Sequence, residues 1–185
     1  MKRYAWMILA LGMGLALPGC ILTSGQIQIH FDLDTVNAIA ETNITGETVD
    51  LNTEQEYADN KDKLKGLTDV AVLGQFTNLG SSAINVEVWM TPGTTSYTTD
   101  AQLKADATAK KVWGPFSLGA SGSSTATQIV DWNESAALFS QAGKDALLAE
   151  AKGDGIFTLY AIAAAGSYSF SITKGVIVLV MDVGV

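Results

Sequence analysis

One cysteine and one histidine occur in the 185 residues, and arginine occurs once, at Arg3. A lone thiol closes no internal disulfide, and with a single histidine it cannot build a multi-histidine or Cys/His metal site, so stapled folds and such metal centres are excluded. A nucleophile and base pair would need Cys20 and His30, ten residues apart near the N-terminus, and carries no weight. Positive charge is scarce as well. Lys+Arg 11 against Asp+Glu 19 leave a net charge of -8, the wrong sign for a surface that binds phosphate backbones, and nucleic acid is excluded as a partner. The chain has no Gly-x-Ser-x-Gly elbow, P-loop, Rossmann fingerprint or His-Glu-x-x-His pair, and no repeat at solenoid period. No cofactor is implied and no enzyme is expected.

What is present is 48% hydrophobic and 16% charged, too apolar for disorder and long enough for one domain with its own core. Met1, Lys2 and Arg3 open the chain with positive charge, residues 4–17 are an apolar run, and Pro18, Gly19 and Cys20 follow. A charged start, a hydrophobic stretch short for a membrane span and small residues at its end read as an export signal. A plain secretory signal and an uncleaved membrane anchor are the other readings of that run.

The sequence Leu17-Pro18-Gly19-Cys20 resembles the lipobox of bacterial lipoproteins. That resemblance implies cleavage before Cys20, a diacylglycerol on its thiol and acylation of the new amino group, with Pro18 standing where Ala or Ser is usual. At about 0.8 kcal/mol per buried methylene, two or three acyl chains hold a protein on a membrane essentially permanently. Ile21, in place of an Asp after the cysteine, implies by the same analogy the outer membrane of the cell envelope. The expected organisation is a signal peptide at 1–19, a lipidated N-terminus and short tether at 20–25, and a single domain at 26–185. Removing 1–19 takes away Lys2 and Arg3, which leaves nine lysines against 19 carboxylates, a net charge of -10 and no arginine. Without a guanidinium fork, anionic ligands are disfavoured.

Along the rest of the chain, residues 26–33 alternate between Ile27, Ile29, Phe31, Leu33 and Gln26, Gln28, His30, Asp32, the period of a half-buried strand. A short strand is expected at 48–51, then a surface helix or ordered loop at 52–65 with Thr53 and Glu56 spaced as a capping box. Three hairpins are expected: 69–77 with 83–90, 110–118 with 124–132, and 156–164 with 168 onward, each joined by a short loop, the first two Gly/Ser-rich. Residues 100–104 can form one helical turn. One helix is expected over 135–151, with Asn133 as its N-cap, Gly143 as a break and Gly153 as its end. The β-branched run near the C-terminus reads as a strand covered on both faces.

Short strands with Gly/Ser turns and one inserted helix predict a mainly β, antiparallel sandwich. The strand 69–72 running to Thr77-Asn78-Leu79-Gly80, its return at 86–88, and the Gly/Ser turn at 118–125 resemble the pattern of immunoglobulin-like envelope domains. The resemblance implies that architecture over about residues 67–132 and no activity.

Three groups of residues bear on function. His30 shares a strand face with Asp32 and Gln28 and reads as a solvated histidine rather than a general base. Asp50, Glu54, Glu56, Asp59 and Asp62 could offer oxygens to Ca²⁺, but Lys61, Lys63 and Lys65 intrude and the spacing fits no EF-hand loop. Alternation sets Trp89 with Asn85 and Glu87, and Trp113 with Lys111, so both rings are candidates for ligand or partner contact on a polar sheet face, unless the helix at 135–151 covers them. The function expected is that of a lipid-anchored, non-enzymatic envelope protein with a structural or protein-interaction role; the alternative is a glycan or extracellular-ligand module using Trp89 and Trp113.

Overall fold

The computed structural model describes residues 24–33, 36–40, 43–163 and 166–184; the signal-like segment and Cys20 lie outside them. The alternating run forms strand β1, Ser24–Asp32, with Ile29 fully buried and Gln26, Gln28, His30 and Asp32 exposed. It is followed by β2 (Val36–Ala40), β3 (Ile44–Asp50), β4 (Leu64–Asn78), β5 (Ile84–Pro92), β6 (Lys110–Leu118), β7 (Thr127–Val130), β8 (Ile156–Ala163) and β9 (Tyr168–Gly184). Strand β1 pairs with 176–184 of β9 and β2 with 168–172 of the same strand, so the two occupy one edge position in succession.

One sheet therefore runs β1/β2, β9, β4, β7 and the other β3, β8, β5, β6, with every pairing antiparallel. The expected mainly β antiparallel sandwich is present. Its connectivity is that of a jelly roll, in which the chain changes sheet at each step after β2 except from β5 to β6. This corrects the immunoglobulin-like expectation, which needs the first two strands side by side in one sheet.

The three expected hairpins are corrected for the same reason. Strands β4 and β5, β6 and β7, and β8 and β9 lie in opposite sheets, and their linking loops cross the sandwich. Two sheets packed about 10 Å apart are bridged by a few residues as readily as two neighbours in one sheet, so loop length did not distinguish the cases. Consecutive strands pair within a sheet at β5–β6, across residues 93–109.

Four short α-helices sit in the connections: α1 (Gln55–Ala58), α2 (Asp100–Ala105), α3 (Trp132–Leu138) and α4 (Gln141–Lys152). The single helix expected over 135–151 is two. Asp131, not Asn133, caps α3 by accepting from the Glu134 amide, and Ser140 caps α4 by accepting from the Gly143 amide. The break falls at Phe139, which bridges to Trp113 of β6, so a tertiary pairing interrupts a helical sequence at a residue other than Gly143. Gly153 ends α4 as expected. Strand β7 is only four residues long and pairs with β4 over Gly74 to Thr77; helices α3 and α4 pack where it stops, against β4 and β6.

Ile29, Val70, Phe76, Met90, Trp113 and Met181 belong to the core between the sheets. A second, smaller cluster lies on the outer face of the β3/β8/β5/β6 sheet, where Ile44, Tyr160 and Ile162 are closed over by Leu103 of α2. Central strand β9 turns Ile177, Leu179 and Met181 into the core, and on its other face Val178 is buried while Val176 and Val180 are half-buried. Among the described residues no helix is long and apolar enough to cross a membrane. Strand β1 begins beside Gly184, the end of β9, at the end of the sandwich that carries the helices. The loops 79–83 and 119–126 lie at the opposite end.

Candidate functional site

The two tryptophans singled out from sequence are not brought together. Val88 pairs with Trp113, but Trp89 pairs with Lys111, which leaves Val112 as an extra residue in a β-bulge. The bulge breaks the alternation and turns Trp113 to the opposite face from Lys111. Trp113 is 2% exposed; its ring stacks on Phe76, and its Nε1 donates to the Ser135 carbonyl at 3.2 Å. It is a core residue under α3, which corrects its expected place on a polar sheet face.

Trp89 stays on the outer face, half-buried against the second cluster. Its Nε1 donates to Glu87 at 3.2 Å, and the Lys104 ammonium sits 5.9 Å from its ring centre. The segment above it is tied down: Tyr97 donates to the Asp106 carboxylate, Tyr160 to the Thr95 carbonyl, and Lys104 pairs with Asp100 at 3.2 Å. Hydrogen bonds from Tyr97 and Thr108 hold the Asp106 carboxyl below its ordinary range, and that from Asn43, then Lys104, does the same for Asp100.

The acidic segment is engaged in local structure. Asp50 accepts from the amide and side chain of Asn52, Asn52 donates on to the Asp154 carbonyl, and buried Tyr57 donates to the Ala151 carbonyl at 2.9 Å. Thr53 spends its hydroxyl on the Asp50 carbonyl, so the expected capping box does not form. Among the described residues no group of three or more His, Cys, Asp or Glu is placed to hold a metal ion. His30 is exposed on the outer face of β1.

Two features were not anticipated. At the end away from the helices, Asn78 is 1% exposed and its side chain joins two loops: Nδ2 donates to the carbonyls of Ser82 and Gly119, each at 2.7 Å, while Oδ1 accepts from the Gly80 amide. Ser121 adds a backbone bond to Gly80. The sequence signal was the Asn-x-Gly after a strand, a turn former whose side chain bonds its own backbone two residues on.

The second feature is an apolar channel of about 230 Å³ between the sheets. Its lining includes residues of every strand of the second sheet, from Thr45 on edge strand β3 through Ala161 and Val88 to Phe116 on edge strand β6. Phe76 and Trp113 stand at the β6 side, and Leu33, Thr45 and Glu47 at the β3 side. Glu47 is exposed and Thr45 half-buried, so polar groups meet the channel where it reaches the surface. No pattern marked this feature in sequence beyond two polar residues at inward positions of a strand.

No model of a known protein family matches the chain, and no curated protein matches it. Among solved structures, the turnip yellow mosaic virus structure aligns over 87% of this chain and 94% of that chain at 13% identity, with a TM-score of 0.33. The Desmodium yellow mottle tymovirus structure aligns over 86% and 89% at 16% identity, with a TM-score of 0.30. Likeness at this level carries no conclusion about what the chain does.

Proposed function

We propose that this chain is a lipid-anchored, non-enzymatic module of the bacterial envelope that presents a rigid loop platform to a protein partner. The observation that carries the reading is Asn78. Its three hydrogen bonds lock loops 79–83 and 119–126 into one block. Loops fixed before an encounter lose less conformational freedom on binding, so a preorganised platform suits recognition. The loops are rich in Ser and Gly, and nearby Leu79 and Ile129 are 49% and 78% exposed.

The anchor rests on the lipobox-like residues 17–20, and Ile21 supports the outer membrane. Strand β1 starts at Ser24, four residues after Cys20, a reach of at most about 13 Å. An anchor there holds the helix-bearing end near the lipid and points the loop platform away from it. The glycan alternative loses its two-ring platform, since Trp113 lies in the core.

Photo-crosslinking in intact cells tests the reading. A crosslinking residue at Ser82 or Ser123 is expected to capture a discrete protein, and one at Glu56, on the helix-bearing end, is not. Cys20→Ser is expected to abolish acyl labelling and release the chain from the membrane fraction. Retention of both labelling and membrane association in that variant overturns the anchor, and the absence of adducts from both loop positions overturns the platform.

A further inference from the structure

We propose that the channel between the sheets binds one single-chain alkyl amphiphile whose head group is uncharged or cationic. The inference concerns the folded domain and is independent of the anchor at Cys20. Size comes first. A cavity of 150 Å³ lined by aliphatic and aromatic side chains stays dry and accepts benzene, so by proportion about 230 Å³ accommodates about nine carbons. Length agrees with it: the channel crosses four strands of one sheet, about 14 Å at ordinary strand spacing, which an extended chain of about ten carbons fills. Volume and length agree on a single chain rather than a compact ring system.

The walls and the mouth divide by chemistry. Val88, Ala161, Phe76 and Trp113 offer an apolar interior, and among the described lining residues the one side-chain N–H, on Trp113, is already committed to the Ser135 carbonyl. A polar head therefore has no partner inside and stays at the mouth. There it meets the Thr45 hydroxyl and the Glu47 carboxylate, both on edge strand β3. A carboxylate at the mouth repels an anionic head and favours a hydroxyl or an ammonium, and the net charge of -8 acts in the same direction. Long-chain alcohols and amines fit; fatty-acid anions do not.

The test uses the full chain carrying Cys20→Ser, so that no acyl group of its own competes. Decan-1-ol and decylamine are expected to raise the melting temperature by several degrees at saturation. 10-Bromodecan-1-ol is expected to quench an emission component that is missing from Trp113→Phe. Decanoate is expected to bind at least tenfold more weakly than decylamine, and Glu47→Lys to invert that order. Ala161→Leu, which narrows the channel beside Thr45, is expected to weaken decanol at least tenfold. The proposal is overturned if the bromoalkane leaves Trp113 emission unchanged, or if Glu47→Lys leaves the order of head groups as it was. The exposed position of Glu47 keeps that second measurement available should Ala161→Leu fail to fold.

Discussion

Ser135 holds Trp113 through its backbone and β4 through its side chain. The Ser135 carbonyl accepts from Trp113 Nε1 at 3.2 Å, while its hydroxyl oxygen accepts from the Val72 amide at 2.7 Å. Trp113 belongs to one sheet and Val72 to the other, so one residue of α3, itself 0% exposed, ties both sheets together where β7 is too short to pair with β4.

Ser135→Ala keeps the carbonyl and removes the acceptor, leaving the Val72 amide without a partner beside the core. An unsatisfied buried donor costs about 1 to 3 kcal/mol. Urea denaturation is expected to show a loss in that range with an unchanged slope. A loss below about 0.5 kcal/mol would mean that water reaches the amide.

Asp69 anchors α4 to the same strand. Burial pushes its carboxyl up, but the Lys144 ammonium at 3.0 Å, the Val70 amide and Trp132 Nε1 outweigh that and hold it below the ordinary carboxylate range. A carboxylate whose folded pKa is depressed contributes stability that is full above its unfolded value near 4 and is lost as pH falls through the folded value. Asp69→Asn is expected to cost about 1 kcal/mol at pH 7, after allowance for solvent screening of a partly exposed pair. The difference from the parent chain should shrink on acidification below about pH 4. Melting curves at pH 7 and pH 3 check both halves.

The strands were legible from alternation at 26–33 and from a continuous β-branched run near the C-terminus, and both lie where those signals place them. Their partners were not. Alternation says which side of a strand is buried, and both sides of a sandwich crossing satisfy it equally well. A local irregularity defeated the reading of Trp113, since the extra residue at Val112 reverses its face, and a second register shift before Phe116 restores the alternation. The capping residue of α3 was missed by two positions because Asp131 and Asn133 are both good caps, and only the packing of Trp132 against Asp69 selects the earlier one. The channel was invisible because its walls are ordinary core residues. Thr45 and Glu47, polar residues at inward positions of an edge strand, were the hint, and in sequence they merged with the polar residues around them.

Asn78→Ala removes three hydrogen bonds at once and leaves the Gly80 amide and two carbonyls unpaired. The expected cost is about 2 to 4 kcal/mol, with amide exchange at Gly80 and Ser121 accelerated before global unfolding. Asn78→Asp preserves the acceptor for Gly80 but turns a carboxylate toward the Ser82 and Gly119 carbonyls. Its folded pKa is raised by that surrounding, so its stability falls as pH rises above about 4. The Asp variant should therefore be more stable at pH 4 than at pH 7 relative to the parent chain. Equal loss at both pH values would mean that the loop block opens to water in the variant.

Gly143 sits in the first turn of α4, where the sequence suggests a break. A Gly→Ala change inside a helix ordinarily gains about 1 kcal/mol. Here a Cβ would stand 2.5 Å from Val112 Cα and 2.8 Å from the Val112 carbonyl oxygen, both backbone atoms of the bulge that sets Trp113 in the core. Neither can move without shifting β6 or lifting α4, whose cap bonds from Ser140 to the Lys111 carbonyl and from the Gly143 amide to Ser140 lie in the same contact. Gly143→Ala is therefore expected to lose about 2 to 3 kcal/mol, the reverse of its propensity. Ala142→Gly, one residue earlier and exposed, should cost only about 1 kcal/mol. Urea midpoints of the two variants give the comparison. Stabilisation by Gly143→Ala would show that α4 does not seat on the Val112 bulge.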